Sequence, residues 1–105
     1  MITEIVTFEI TKSMGRGEVV ELFEKSAPAW KANPHLVHKS FLYDHQNGVG
    51  GGVYLWDTIE AAREAHDASF CSRIQAAFGS APEFRYFESP VVINNHTSEE
   101  EVAVS

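Results

Sequence analysis

Between Ile2 and Thr11 the chain alternates, with Ile2, Val6, Phe8 and Ile10 on one face and Thr3, Ile5, Thr7, Glu9 and Thr11 on the other. A period of two predicts a half-buried strand. Glu4 breaks the pattern, a carboxylate on the apolar side. The stretch SMGRGEVVELFEKSAPAWKAN changes to helical spacing, its inward stripe being Val19, Leu22, Phe23, Ser26 and Trp30. Pro28 lies inside it and predicts a kink or break, because proline has no N–H and crowds the preceding turn.

Asn33-Pro34 ends that helix, and HLVHKSFLYD predicts a second strand. Strict alternation puts Leu36, His38, Ser40 and Leu42 on one face and Val37, Lys39, Phe41 and Tyr43 on the other. The glycines of NGVGGGVYLWD come before a strand, whereas a phosphate loop needs a strand, then glycines, then a helix N-terminus. Asn47-Gly48 therefore reads as a hairpin turn leading to a third strand over residues 51 to 57. Thr58 caps the next helix, with Glu60 in its first turn. Its register Ile59, Ala62, His66, Phe70 faces the sheet and continues through Cys71, Ile74, Ala77 and Phe78 to a stop at Gly79. PEFRYFE is the last strand, and Pro90 interrupts it before VVINN.

The resulting order, β-α-β-β-α-β, is the split arrangement of the ferredoxin-like α+β fold: an antiparallel four-stranded sheet with both helices on one face. The other face needs a cover. A second copy packed sheet to sheet is the simplest one, which predicts a homodimer with VVINN reaching across to the partner.

Composition narrows the function classes. At 105 residues and 44% hydrophobic, the chain suits one domain, placed at residues 1–95, and the acidic TSEEEVAVS predicts a mobile tail over 96–105. A net charge of −7 argues against nucleic acid or anionic membrane as partner, since both need a basic face. A single cysteine, Cys71, allows no intrachain disulfide, and the strand-like opening without a charged and apolar leader predicts a cytoplasmic protein. No apolar run approaches the roughly 20 residues that cross a bilayer.

The runs GGGVYLWDTIEAAREA, YFESPVVINN and ITEIVTFEI resemble the small bacterial YdhR-like mono-oxygenases of the dimeric α+β barrel superfamily, which is ferredoxin-like and of the antibiotic-biosynthesis-monooxygenase type. The likeness spans Ile2 to Asn95. It implies a dimeric α+β barrel, no cofactor, and oxidation of a small aromatic compound. The superfamily also holds haem-degrading enzymes, decarboxylases, cyclases and isomerases, so the resemblance bears on fold more than on chemistry. Counting from Trp56, the helix tryptophan of the haem degraders falls at Ala65 and their ligand histidine at Gln75, which disfavours haem.

Among the candidate site residues, His35, His38 and His45 are spaced so that they cannot easily chelate one ion, and no HxxxH or CxxC pattern occurs; no metal site is expected. Cys71 reads as a structural thiol. His66 interrupts an apolar stripe and is the leading candidate for a general base, weighed against a histidine bonded to a backbone carbonyl; His38 is a second candidate if its face is the helix-covered one. Trp30, Tyr54, Trp56 and Phe70 would together wall an aromatic pocket for a flat ligand, with Arg73 or Arg85 available to an anionic group. The expected function is a cofactor-independent mono-oxygenase acting on a phenolic or quinol-type substrate. The alternatives are a cyclase, decarboxylase or isomerase using the same base, and a non-catalytic ligand-binding or stress-related dimer.

Overall fold

A computed structural model describes residues 1–96. Its elements are β1 (Ile2–Glu9), α1 (Arg16–Lys31), β2 (Leu36–Asp44), β3 (Val49–Trp56), α2 (Ile59–Ala65), α3 (Ala68–Phe78) and β4 (Glu83–Glu88). The four strands form one antiparallel sheet in the order β2-β3-β1-β4. This is the ferredoxin-like α+β fold expected from the order of elements, with the helices on one face. The acidic tail expected over 96–105 lies, from residue 97 onward, outside the described residues. No helix among the described residues is long and apolar enough to cross a membrane.

Register places Ile2, Glu4, Val6 and Phe8 of β1 opposite Trp56, Tyr54, Gly52 and Gly50 of β3, all on the face toward the helices. The core has two centres. One gathers Val6, Tyr54, Trp56, Ala61, Ala62 and Phe70, the other Phe8, Val19 and Phe78. The rings of Phe8 and Phe78 lie 4.5 Å apart and those of Phe23 and Phe41 stack at 4.8 Å, so α3 and α1 are each fixed to the sheet by aromatic contacts.

The glycines of β3 have a packing role. A methyl at Gly50 would press on the Phe8 ring at 2.8 Å, and one at Gly51 would collide with the Val6 carbonyl oxygen. The bare strand leaves the space above it to rings from β1 and from its own Tyr54. The hairpin is present, but its connection runs from His45 to Gly48, between Asp44 and Val49, and is longer than a two-residue turn. Gly48 alone takes the positive φ, +63°. Asn47 instead gives its backbone N–H and its side-chain amide to the Asp44 carboxylate at 3.2 and 2.8 Å.

Three local expectations are corrected. No break occurs at Pro28, since helix α1 runs on to Lys31 with the proline on the exposed side. The helix predicted from Thr58 to Gly79 is two helices. His66 takes φ −111° and ψ 53°, and Asp67 starts afresh as an N-cap whose carboxylate accepts the Phe70 N–H at 3.0 Å. The sequence ASF after Asp67 then restarts the apolar register, so Phe70, Ile74 and Phe78 still face the sheet.

The third correction concerns β2. A bulge between Leu36 and His38 lets Val37 swing outward, 55% exposed. Leu36 therefore shares the helix-facing side with Lys39, Phe41 and Tyr43, and His38 lies opposite Leu55 on the other side. His38 is solvent-exposed on the open face, so it does not share a space with His66.

Candidate functional site

Glu4 is the residue that breaks the strand alternation, and it is fully buried. A buried carboxylate needs donors. The Trp56 indole N–H supplies one at 2.9 Å, and His66 Nδ1 lies 2.9 Å from the same oxygen. His66 Nδ1 also lies 3.2 Å from the Ala62 carbonyl, which can only accept, so this nitrogen carries its proton and faces two acceptors. Glu4 Oε2 and His66 Nε2 have no hydrogen-bond partner among the described residues. Tyr86, opposite Glu4 on β4, has its phenol pushed up to about 12, first by burial and then by the Glu4 carboxylate.

The break between α2 and α3 sets the imidazole in place. Its ring lies 4.5 Å from Phe70, 4.7 Å from Tyr54, and 5.4 Å from both Trp30 and Phe84. His66 is thus enclosed by aromatic rings, as its apolar register required.

In front of those rings lies a cavity of about 460 Å³ between α1, α3 and the sheet. From α1 it is walled by Leu22, Phe23, Lys25, Ser26, Ala29 and Trp30. From α3 come Phe70, Arg73, Ile74, Ala77 and Phe78, and from the sheet Val6, Phe8, Lys39, Phe41, Gly51 and Tyr54. Volume and apolar lining suit a small aromatic molecule.

Lys39 is the unexpected member. The bulge in β2 turns it inward, where its Nζ donates to the Tyr54 hydroxyl at 2.9 Å. The same atom stands 3.9 Å from the centres of the Trp30 and Phe41 rings and 4.4 Å from that of Tyr54. Burial pushes the Lys39 ammonium down to about 7, with the Glu4 carboxylate pulling the other way. Burial likewise pushes the Tyr54 phenol up, with Glu4 adding to it, so that hydroxyl keeps its proton. The site therefore holds an amine that is half protonated near neutral pH, beside a phenol that stays neutral.

Of the residues expected from sequence, Trp30, Tyr54, Phe70 and Arg73 line the cavity. Arg73 also donates to Ser69 Oγ at 2.8 Å. His66 does not line it; three of the rings that enclose it do. Trp56 is fully buried behind Tyr54, with its indole N–H committed to Glu4, so it is a core residue and not a wall. Arg85 stacks over Phe87 at 5.0 Å on β4, away from the cavity. His35 pairs with Asp57 at 3.1 Å, and His45 with the Tyr43 hydroxyl at 2.9 Å.

The fold is that of the ferredoxin-like α+β proteins, and solved structures described as antibiotic biosynthesis monooxygenases share it. A protein of unknown function from Nitrosomonas europaea superposes with a TM-score of 0.71 at 12% identity, over 90% of this chain and 94% of that one. A cofactor-independent oxygenase, SnoaB from Streptomyces nogalater, gives 0.64 at 17% identity, over 88% and 95% of the two chains. The ActVA-Orf6 monooxygenase of Streptomyces coelicolor, solved with nanaomycin D, gives 0.62 at 13% identity, over 90% and 92%. No protein-family model matches the chain, and no curated protein matches it.

The Glu4–His66 pair is expected to be strongly coupled. Replacing either residue by leucine strands a buried polar partner and should cost about 3 kcal/mol in urea unfolding. The double variant Glu4→Leu/His66→Leu should be at least 1 kcal/mol more stable than the sum of the single losses, on the order of a contact-pair coupling. Additive losses would mean that the two side chains do not hold one another.

Proposed function

We propose that the protein is a cofactor-independent mono-oxygenase acting on a small phenolic or quinol-type substrate held in the helix-covered cavity. The observation that carries this reading is the Lys39 Nζ inside a pocket of aromatic walls, 2.9 Å from the Tyr54 hydroxyl. The named oxygenases of the same fold support it at the level of architecture.

The chemistry follows from what a phenol needs in order to react with dioxygen. Lys39 Nζ takes the phenolic proton, and the ammonium so formed pairs with the phenolate. The electron-rich phenolate passes an electron to dioxygen, and the radical pair combines to form a carbon–oxygen bond. Loss of water from the resulting peroxide leaves a quinone. One oxygen atom enters the product, the other leaves as water, and the four electrons come from the substrate. The aromatic walls hold the ring flat and keep water out. In this scheme the base is Lys39, not His66 or His38. His66 and Glu4 act as positioning residues behind Trp30, Tyr54 and Phe70.

With a phenolic substrate of ordinary acidity, dioxygen uptake should rise with pH and level off above about 7 as Lys39 loses its proton. Lys39→Met should lose on the order of 100-fold in kcat/KM and its inflection near neutrality, in line with the worth of a general base. His38→Gln should be unchanged. Phenol binding without dioxygen uptake would favour the alternative, a non-catalytic ligand-binding dimer.

The second part of the proposal is a homodimer through the open sheet face. That face carries Ile5, Leu42, Val53 and Leu55, all half-buried, and Phe87, 42% exposed. Beyond Pro90, Val91 and Ile93 are 77% and 80% exposed. Such a surface is more apolar than a lone domain in water favours. Light scattering at micromolar concentration should give twice the chain mass, and a monomer mass would contradict the dimer.

A further inference from the structure

We propose that Lys39 is also a carbonyl-capturing amine: the cavity accepts small aromatic aldehydes, and Nζ joins them as an imine with Tyr54 as proton donor. The inference rests on the cavity and its lysine, and does not require the oxygenation chemistry above.

Imine formation asks three things of a site, and each is met by a named group. It needs an amine that is not locked as an ammonium, and a lysine inside an apolar pocket meets that condition. Burial holds Lys39 near 7, against about 10.5 for a lysine in water, so at neutral pH its free-amine fraction is on the order of a thousandfold larger. It needs a proton donor beside the nitrogen, and the Tyr54 hydroxyl lies 2.9 Å away. It needs room for the carbonyl compound beside the nitrogen, which the cavity of about 460 Å³ and the Trp30 and Phe41 faces at 3.9 Å supply.

The step balances without a redox partner. The Nζ lone pair attacks the carbonyl carbon, a C–N bond forms, and the carbonyl oxygen takes a proton from the Tyr54 phenol. The phenol regains one from the Nζ ammonium. The carbinolamine then expels its hydroxyl as water, Tyr54 giving the proton and regaining one from the iminium N–H, which leaves the neutral imine C=N. The other lysines are differently placed. Lys25 also borders the cavity, but its side chain is exposed and paired with Glu21 at 3.4 Å, and Lys12 reaches the Ala76 carbonyl. The amine that competes is the N-terminus of Met1, an exposed residue.

The test is reductive trapping on the full chain. Protein at pH 7.0, under argon, is incubated with 4-hydroxybenzaldehyde and sodium cyanoborohydride, and the modified lysine is located by peptide mass mapping. The expected result is one hydroxybenzyl group per chain on Lys39, saturable with aldehyde concentration. It should be absent in Lys39→Arg and formed about tenfold more slowly in Tyr54→Phe, the usual lower range for a proton donor. Mapping in the unmodified sequence decides the matter even if a variant fails to fold. Labelling confined to Met1, or spread evenly over Lys12, Lys25 and Lys31, would overturn the proposal. Exclusion of oxygen separates this outcome from the oxygenase reading: either can fail while the other stands.

Discussion

A carboxylate without access to water must be held by donors, and Glu4 takes Trp56 from the neighbouring strand and His66 from the helical layer. One side chain on β1 thereby ties together β3 and the junction of α2 and α3. Its charge reaches further. Burial pushes both Tyr54 and Tyr86 toward their neutral forms and Glu4 adds to it, while the same carboxylate pulls Lys39 partway back toward its ammonium. Removing a partner from such a centre costs more than the pair contributes, because what remains is a buried polar group with nothing to bond.

The cavity depends on the same arrangement. Rings held against His66 on one side form the cavity wall on the other, so Trp30, Tyr54 and Phe70 serve both core and pocket. Lys39 opposes folding at neutral pH. Its folded pKa lies below its unfolded value, so between about 7 and 10.5 the unfolded chain binds more protons and stability rises with pH. At pH 7 and below, the full cost of the buried ammonium is present. A protein that keeps such a residue in a pocket gives up stability for reactivity, a common pattern at functional sites.

The architecture was legible because it rests on periodicity. Alternation marked β1, the three and four spacing marked α1, and glycines before an aromatic strand marked the hairpin. The site was legible in half. Glu4 announced itself as an exception among apolar positions, and His66 as an imidazole in an apolar register, but nothing in the sequence joined them across 62 positions. Lys39 was hidden by the bulge: alternation counted from Leu36 groups it with Val37, and a single extra residue reverses that grouping. The helix break had a signal, Asp67 followed three residues later by an apolar ring, which is an N-cap pattern inside what otherwise reads as one helix. Trp56 reads as a pocket wall from strand parity, yet parity gives a face and not a depth.

The account turns on whether Lys39 is an amine at neutral pH. The chain has four lysines, Lys12, Lys25, Lys31 and Lys39, so a protein labelled with carbon-13 at lysine Cε gives a spectrum simple enough to titrate. One resonance should titrate near 7, be missing in Lys39→Met, and shift when a phenol is added. A spectrum in which no lysine resonance titrates near 7 would contradict the account.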